Sequence, residues 1–380
     1  MAGEPGWLGT YLSYTQQWHF SREWNLACGM ALVGLATMDR MEFASGPWEV
    51  IPYIHPFLIG PSGSGKGAVT KFMRRVQKSA LPGLSVISSV ASVAGIVKEI
   101  KDGVPTLILA EEATTLMGNE KWQAGIVPNL TELADCDDYG KTLKNERVQL
   151  NRVRVSIVLG SNEKALREDF DKNVVEKGIA TRFVWLVSGM PIVGADEPDE
   201  SSEESVRFFT KSCEGLRSIA SMRGPCGLAD SGRAAYRLWH DSYRNERPED
   251  EVMTGWYSRR NMHVLRVALI AALADGQLEI DAGHFDWAWG FIQSAEAQMK
   301  VAFQSISMSN YGKEEDKVYR WMAGKREWLT TSAIKQRWAA QMPRGCASVT
   351  FILDSLRERG KILADPECGG RGARYMVPGE

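Results

Sequence analysis

One short stretch of the chain combines three glycines with a lysine: Gly60-Pro61-Ser62-Gly63-Ser64-Gly65-Lys66. An apolar run, residues 55–59, precedes it, and residues 67–78 have the pattern of a helix. A strand, a glycine-rich loop and a helix in this order are typical of a phosphate-binding loop, or P-loop. The glycines let backbone N–H groups turn toward a phosphate, and the start of the helix and the lysine add positive charge. The predicted nucleotide-binding residues are Gly60, Pro61, Ser62, Gly63, Ser64, Gly65, Lys66, Gly67 and Ala68.

Position 67 departs from the usual P-loop pattern. The residue after the lysine is normally Ser or Thr, whose hydroxyl binds Mg²⁺, whereas this chain has Gly67. A water molecule or Thr70, one helical turn later, are two candidates for the missing ligand, and the sequence does not decide between them. A glycine-rich turn without a ligand is the alternative interpretation of the whole stretch.

Five short apolar runs predict a parallel sheet. Nearly continuous apolar strands are typical of a sheet that is covered by helices on both faces, because neither face is exposed to water. Helical patterns lie between the runs, which indicates an α/β core. The runs are residues 55–59, 84–87, 106–109, 155–159 and 183–187.

Two adjacent carboxylates, Glu111 and Glu112, follow the third apolar run. An apolar strand that ends in two acids, downstream of a P-loop, is typical of an ATP-hydrolysing site. One acid binds Mg²⁺ and the other activates the attacking water. We therefore predict ATP and Mg²⁺ as ligands, with Glu111 at the metal and Glu112 as the general base. A solvated strand end is the alternative.

Two further polar residues extend the predicted active site. Asn162 follows the fourth run, where an amide can hold the attacking water or the γ-phosphate. Arg182 precedes the fifth run, where its guanidinium can act as an arginine finger on a neighbouring subunit's γ-phosphate. Arg167 is the second candidate for that role. An ordinary turn asparagine and an ordinary surface arginine are the alternatives. The predicted catalytic set is Lys66, Glu111, Glu112, Asn162 and Arg182.

The order of these motifs resembles that of superfamily 3 and MCM-like AAA+ helicases. It is similar in particular to a large family of phage, plasmid and genomic-island proteins described as primase-helicase-like. The resemblance covers roughly residues 5–305. It implies a hexameric ring with ATP at the subunit interfaces, completed in trans by Arg182, and DNA in the central channel. The chain departs from the family pattern at two positions, Gly67 in place of Ser or Thr and Glu111 in place of the commoner Asp. Both departures affect the expected metal affinity and turnover.

The fold class predicted is an α/β P-loop NTPase core of the AAA+ type with three additions. The chain is divided into an N-terminal helical segment (1–51), the ATPase core (52–193), an acidic linker or loop (194–205), an α-helical subdomain (206–310) and a C-terminal winged-helix domain (311–380). The linker carries six carboxylates in residues 196–204 and cannot bury an apolar face. Three helical patterns and two strand-like runs around a glycine-rich tip predict the winged helix.

Two segments are candidates for contact with DNA. Residues 139–154 have the pattern of a basic hairpin, and superfamily 3 helicases contact the backbone of single-stranded DNA with a hairpin at this location. The candidates there are Lys141, Lys144 and Arg147. From residue 313 to 380 the chain has 13 Lys and Arg against 9 Asp and Glu, and Arg357 and Arg371 are the candidates for duplex DNA. A solvated hairpin and a protein-docking winged helix are the alternatives.

Composition excludes several other classes of protein. The net charge is −2, so DNA binding would depend on local patches. The six cysteines have no paired spacing, which argues against a zinc site and a disulfide scaffold and favours the cytoplasm. No apolar run reaches the roughly 18–20 residues of a membrane span, and no secretory signal is visible, so no membrane partner is expected.

The sequence therefore favours a DNA-dependent ATPase that acts as the replicative helicase of a mobile genetic element. A non-translocating AAA+ switch, which assembles on DNA and recruits partner proteins, is the first alternative. A winged-helix regulator with a vestigial ATPase domain is the second. No primase domain fits beside the predicted parts, so priming would come from a separate primase or initiator protein.

Overall fold

The computed structural model of the protein describes most of the chain. The described residues are 3–18, 20–88, 93–117, 126–143, 146–169, 178–188, 201–243, 246, 251–325, 327–342, 345–366, 368 and 373–378. The chain divides into two compact units, Met1–Phe303 and Gln304–Glu380. The first unit therefore contains the ranges predicted as the N-terminal segment and the ATPase core, together with residues 206–303 of the predicted helical subdomain.

The first unit is built around a five-stranded parallel sheet. Its strands occur in the spatial order β4-β5-β8-β3-β9, and every neighbouring pair is parallel. This confirms the predicted α/β core, and each of the five strands falls on one of the predicted apolar runs. The described strands of the unit are β1 (Phe43–Ser45), β2 (Trp48–Val50), β3 (Pro56–Ile59), β4 (Ser85–Ile87), β5 (Thr106–Ala110), β6 (Tyr139–Leu143), β7 (Glu146–Leu150), β8 (Val155–Ser161), β9 (Val184–Val187), β10 (Gly227–Leu228) and β11 (Glu279–Ile280).

Burial explains why β5, β8 and β3 form the centre of the sheet. Every residue of β3, β5 and β8 is buried, as expected for strands covered on both faces. The helices of the unit are α1 (Gly6–Thr15), α2 (Arg22–Thr37), α3 (Lys66–Ala80), α4 (Val93–Glu99), α5 (Thr114–Met117), α6 (Ile126–Leu133), α7 (Glu163–Asp169), α8 (Glu203–Ser221), α9 (Asp230–Tyr243), α10 (Glu251–Ala274) and α11 (Ala282–Lys325), which also contains the boundary between the units.

The N-terminal segment is part of the core of the unit. Residues 24–37 of α2 are all buried, and the helix packs against β3, β8 and α3. Trp24 from this helix donates its indole N–H to the carbonyl of Leu186 at 2.9 Å. The hairpin of β1 and β2, which the sequence did not predict, follows α2. Helix α2 therefore holds the sheet and helix α3 together.

Two helix boundaries differ from the predicted ones. Helix α8 begins at Glu203, inside the range 194–205 that was predicted as a linker. The hydroxyl of Ser202 caps it by accepting from the amide of Ser205 at 3.2 Å, and the acids of its first turn suit the positive end of the helix dipole. Helix α11 is one helix of 44 residues and runs across residue 310, where the predicted helical subdomain ends and the predicted winged helix begins. It contains no proline that would break the helix there.

The second unit packs helices against a small sheet. Its further elements are β12 (Leu329–Thr330), α12 (Thr331–Trp338), α13 (Cys346–Glu358), β13 (Leu363–Ala364) and β14 (Arg374–Met376). The strands form an antiparallel sheet in the order β12-β14-β13. Thr330 caps α12 by accepting from the amide of Ala333 at 3.1 Å. The buried core includes Val318, Ile334, Ile352 and Leu356.

No helix in the described part of the chain is long and apolar enough to cross a membrane. The six cysteines, all of which are described, form no disulfide.

Candidate functional site

The loops that leave the parallel strands meet at one edge of the sheet, which we call the carboxyl edge. The amide of Gly60, after β3, donates to the carbonyl of Ser161, at the end of β8, at 3.2 Å. The amide of Ala113, after β5, donates to the carbonyl of Gly160 at 2.6 Å. The carboxyl edge therefore brings together the predicted P-loop, the glutamate pair and Asn162.

Glycine is required at several points of this edge. Gly63 and Gly65 have φ angles of +81° and +84°, in the left-handed region that glycine adopts at little cost. A Cβ atom at Gly160 would lie 2.4 Å from the carbonyl oxygen of Glu111, so a side chain there would push the two loops apart. Helix α3 begins at Lys66. The N–H groups of its first turn have no acceptor within the helix and can bind an anion.

Lys66 lies inside the loop that precedes it. Its Nζ donates to the carbonyls of Gly60 at 2.7 Å and Pro61 at 2.9 Å. The ammonium also lies 6.0 Å from the centroid of the Trp24 ring. Burial lowers the pKa of Lys66, and the charge of Glu112 acts in the opposite direction. A phosphate that entered the loop would replace these carbonyls as the acceptor for a half-buried positive charge.

The two glutamates lie beside the start of α3. Both are exposed at the end of β5. The hydroxyl of Thr70 lies 3.3 Å from Oε1 of Glu111, and a Cβ atom at Gly67 would lie 3.6 Å from Oε2. Among the described residues, no group of three or more His, Cys, Asp or Glu side chains could hold a metal ion. The residues present fit Mg²⁺, which commonly binds proteins through one or two carboxylates together with water and substrate phosphates.

Asn162 has a structural role as well as its predicted one. Its Oδ1 accepts a hydrogen bond from the amide of Ala165 at 2.9 Å and thereby caps α7. The cap fixes Oδ1 toward the helix, so the Nδ2 amide group is the part of the side chain that can donate to a ligand.

Arg182 lies at the opposite edge of the sheet, which we call the amino edge because the strands begin there. It precedes β9, and its Nε and Nη2 donate to the two carboxylate oxygens of Asp135 at 2.9 and 2.5 Å. Arg259 donates to the same carboxylate at 2.8 Å. Burial raises the pKa of Asp135, but the hydrogen bonds and charges of the two arginines outweigh burial, and the pKa falls below its usual value.

The structure therefore does not bring Arg182 to the other four predicted catalytic residues of its own chain. Its side chain is 14% exposed and is held in the pair with Asp135. An arginine finger on a neighbouring chain would have to leave that pair, and this role stays a prediction. The side chain of Arg167 lies outside the described part.

Two buried histidines complete the amino edge. His55 donates from Nε2 to the carbonyl of Ala134 at 2.9 Å, and its Nδ1 accepts from the amide of Ile157 at 3.1 Å. Burial lowers the pKa of His55 to about 4. His263 stacks on Trp256 with a centroid distance of 4.2 Å, and burial lowers its pKa to about 3. No local pattern marks this cluster in the sequence, because its members come from distant segments.

The predicted hairpin is present, since β6 and β7 pair antiparallel with Tyr139 opposite Leu150. Nζ of Lys141 lies 2.6 Å from Oε1 of Glu132. Lys144 and the side chain of Arg147 lie outside the described part. Arg154, counted among the basic residues of this segment, is 2% exposed and bonded to Glu42, so it stabilises the fold.

The candidates for duplex DNA are only partly described. Arg357 is exposed on α13, 3.5 Å from the carboxylate of Asp354 one turn earlier. Arg371 lies outside the described residues.

A comparison of the sequence with protein-family models finds no match. A comparison with curated proteins also finds none.

Proposed function

We propose that this protein binds ATP with Mg²⁺ at the carboxyl edge of its parallel sheet and hydrolyses it. The observation that carries the proposal is the meeting of three loops from different strands. These loops bring Lys66, the pair Glu111 and Glu112, and Asn162 to the same edge of the sheet. A parallel α/β sheet generally binds its ligand outside the carboxyl ends of its strands.

Each residue has a distinct part in the proposed reaction. Lys66 and the first-turn amides of α3 bind the phosphates, and Glu111 holds Mg²⁺, which would neutralise phosphate charge. Glu112 is exposed and can take a proton from the attacking water as a general base. The Nδ2 group of Asn162, whose orientation is fixed by the cap on α7, donates to that water or to the γ-phosphate.

We further propose that the ATPase acts on DNA as the helicase of a mobile genetic element. The antiparallel β6–β7 hairpin, between the strands that carry the glutamates and Asn162, supports contact with single-stranded DNA. The helices and three-stranded sheet of the second unit support a winged helix. The hexameric ring, with Arg182 acting in trans, rests on the family resemblance.

Two observations favour a second candidate, the non-translocating switch. Arg182 is paired with Asp135 in its own chain, and Gly67 removes a usual Mg²⁺ ligand. Both features suit slow turnover. In this alternative, ATP binding assembles the protein on DNA, and hydrolysis only resets it.

The test is steady-state ATP hydrolysis with and without single-stranded DNA. The variants are Lys66→Ala and Glu112→Gln, and Lys71→Ala is the matched control because Lys71 is exposed on the same helix. We expect hydrolysis that DNA stimulates, that both site variants abolish and that the control retains. Tight binding of ATP and DNA with negligible turnover would favour the switch. Absence of ATP binding by the unaltered protein would contradict the proposal.

A further inference from the structure

The two departures from the usual P-loop pattern lie against each other in the structure. Glycine replaces Ser or Thr at position 67, and glutamate replaces the commoner aspartate at position 111. A Cβ atom at Gly67 would lie 3.6 Å from Oε2 of Glu111 and 4.0 Å from its Cδ. The carboxylate of Glu111 therefore lies over the first turn of α3, next to the place where a residue 67 side chain would begin.

Thr70 reaches the same carboxylate from the next turn of the helix. Its Oγ1 lies 3.3 Å from Oε1 of Glu111 and 3.0 Å from the carbonyl oxygen of Gly67. The hydroxyl has one hydrogen atom, and an ionised carboxylate is the stronger acceptor of the two. Thr70 is 2% exposed, so its hydroxyl is shielded from water.

These contacts give the two carboxylate oxygens of Glu111 different surroundings. Thr70 holds Oε1, and Oε2 faces the open space at Gly67. Glutamate is one methylene longer than aspartate, so its carboxylate extends further toward α3. A Cβ atom at position 67 would be in ordinary van der Waals contact with Oε2, so there is space for one. Because glycine has no hydroxyl, residue 67 makes no side-chain hydrogen bond to Oε2.

We propose that Thr70 is a positioning residue that holds Glu111 in place for Mg²⁺. The inference rests on the proposed function and deepens it. It assigns the task of the missing P-loop hydroxyl to Thr70, which acts through Glu111.

The first test compares Thr70→Val, which removes the hydroxyl with little change in shape, with Thr70→Ser, which keeps it. The readout is the binding of a fluorescent ATP analogue over a range of Mg²⁺ concentrations, together with the melting temperature. We expect Thr70→Val to raise the half-saturating Mg²⁺ concentration about tenfold, because a hydrogen bond to a charged group is lost. Thr70→Ser should stay within about twofold of the unaltered protein. Analogue binding without Mg²⁺ should be the same in both variants.

A matched control is Thr350→Val, since the hydroxyl of Thr350 also donates to a carbonyl of the preceding helical turn, at 2.9 Å, far from Glu111 in sequence. This variant should leave the Mg²⁺ dependence unchanged.

The second test is a double-mutant cycle of Thr70→Val and Glu111→Asp. Each single change should raise the half-saturating Mg²⁺ concentration about tenfold, since each removes the hydrogen bond between Thr70 and Glu111. The double variant should lose little more than either single variant, because both changes remove the same bond. Losses that simply add would overturn the inference.

The outcomes separate this inference from the proposed function. If the unaltered protein binds no ATP analogue, both are overturned. If it binds ATP and hydrolyses it, but Thr70→Val has the Mg²⁺ dependence of the unaltered protein, only the inference is overturned. Equal losses in Thr70→Ser and Thr70→Val would also overturn it, since they would indicate a packing role.

Discussion

The carboxyl edge and the amino edge of the central sheet carry similar charged side chains in different environments. At the carboxyl edge, Glu111 and Glu112 are exposed, and Lys66 is held by backbone carbonyls. At the amino edge, Asp135 binds Arg182 and Arg259, so its charge is matched within the chain. Charges whose partners are exchangeable can bind a ligand, whereas charges that neutralise each other inside the fold stabilise it. Changes at the first edge should therefore affect activity, and changes at the second should affect stability.

The largest expected effect is that of Glu112→Gln at the carboxyl edge. Removal of a general base should lower ATP turnover by roughly 10²–10⁴-fold, while the amide keeps the shape of the side chain and leaves ATP binding intact. Turnover, the affinity for ATP and the melting temperature should be measured together. The control is Glu99→Gln, an exposed glutamate at the end of α4. A Glu112→Gln variant that lost stability but kept its turnover would contradict the contrast between the edges.

The second effect is a loss of stability in acid that originates at the amino edge. The pKa of His55 is lowered from 6.5 to about 4, mainly by burial, so the folded chain keeps this side chain uncharged. As the pH falls below 6.5, the unfolded chain takes up the proton first, and stability falls until the pH reaches the folded value. The loss is about 3 kcal/mol. His263, with a pKa of about 3, acts in the same direction.

Denaturant unfolding between about pH 7 and pH 4 measures this loss. His55→Gln should flatten the dependence of stability on pH, and His240→Gln, at an exposed position of α9, should leave it unchanged. An unchanged pH dependence in His55→Gln would show that this histidine is not held uncharged by the fold.

Asp135→Asn should have a moderate effect on stability. It leaves Arg182 and Arg259 without their shared carboxylate, at a cost of about 2 kcal/mol because the pair is only partly buried. The affinity of the folded protein for ATP should not change. The matched control is Asp286→Asn, an exposed aspartate on α11. Unfolding free energies and ATP titrations distinguish the two edges, and a variant that lost ATP binding at full stability would contradict the account.

The smallest expected effects on stability are those of two Asn162 variants. Together they separate the role of this residue as a helix cap from its role as an amide donor. Asn162→Asp keeps the oxygen that caps α7, so stability should be unchanged, but it loses the amide donor and should lower turnover. Asn162→Ala loses both and should cost about 1 kcal/mol in addition. Equal turnover in Asn162→Asp and the unaltered protein would assign this residue to the helix cap alone.

The sequence predicts the carboxyl edge better than the amino edge, for a physical reason. The predicted P-loop and the residues that follow β5 and β8 are continuous with apolar strands, so a local pattern marks each of them. Because parallel strands all end at the same edge of a sheet, these residues come together once the sheet forms. Asp135 and Arg182 are 47 positions apart, and no local pattern marks such a pair.

Some features of the fold could be predicted only in part. The apolar runs predict the five strands, but the order β4-β5-β8-β3-β9 depends on long-range pairing. Thr70 was one of two candidates for the missing hydroxyl, and its contact with Glu111 depends on two separate elements. The close approach at Gly160 has no signal in the sequence, because it arises where two neighbouring loops pass each other.

The most direct measurement is the melting temperature of three proteins with and without Mg²⁺ and ATP. A ligand that binds only the folded state raises the melting temperature. We expect a clear rise in the unaltered protein, no rise in Lys66→Ala, and a rise of the same size in Asp135→Asn from a lower starting temperature. An unaltered protein that ATP does not stabilise, or a Lys66→Ala variant that it stabilises equally, would contradict the assignment of the carboxyl edge as the nucleotide site.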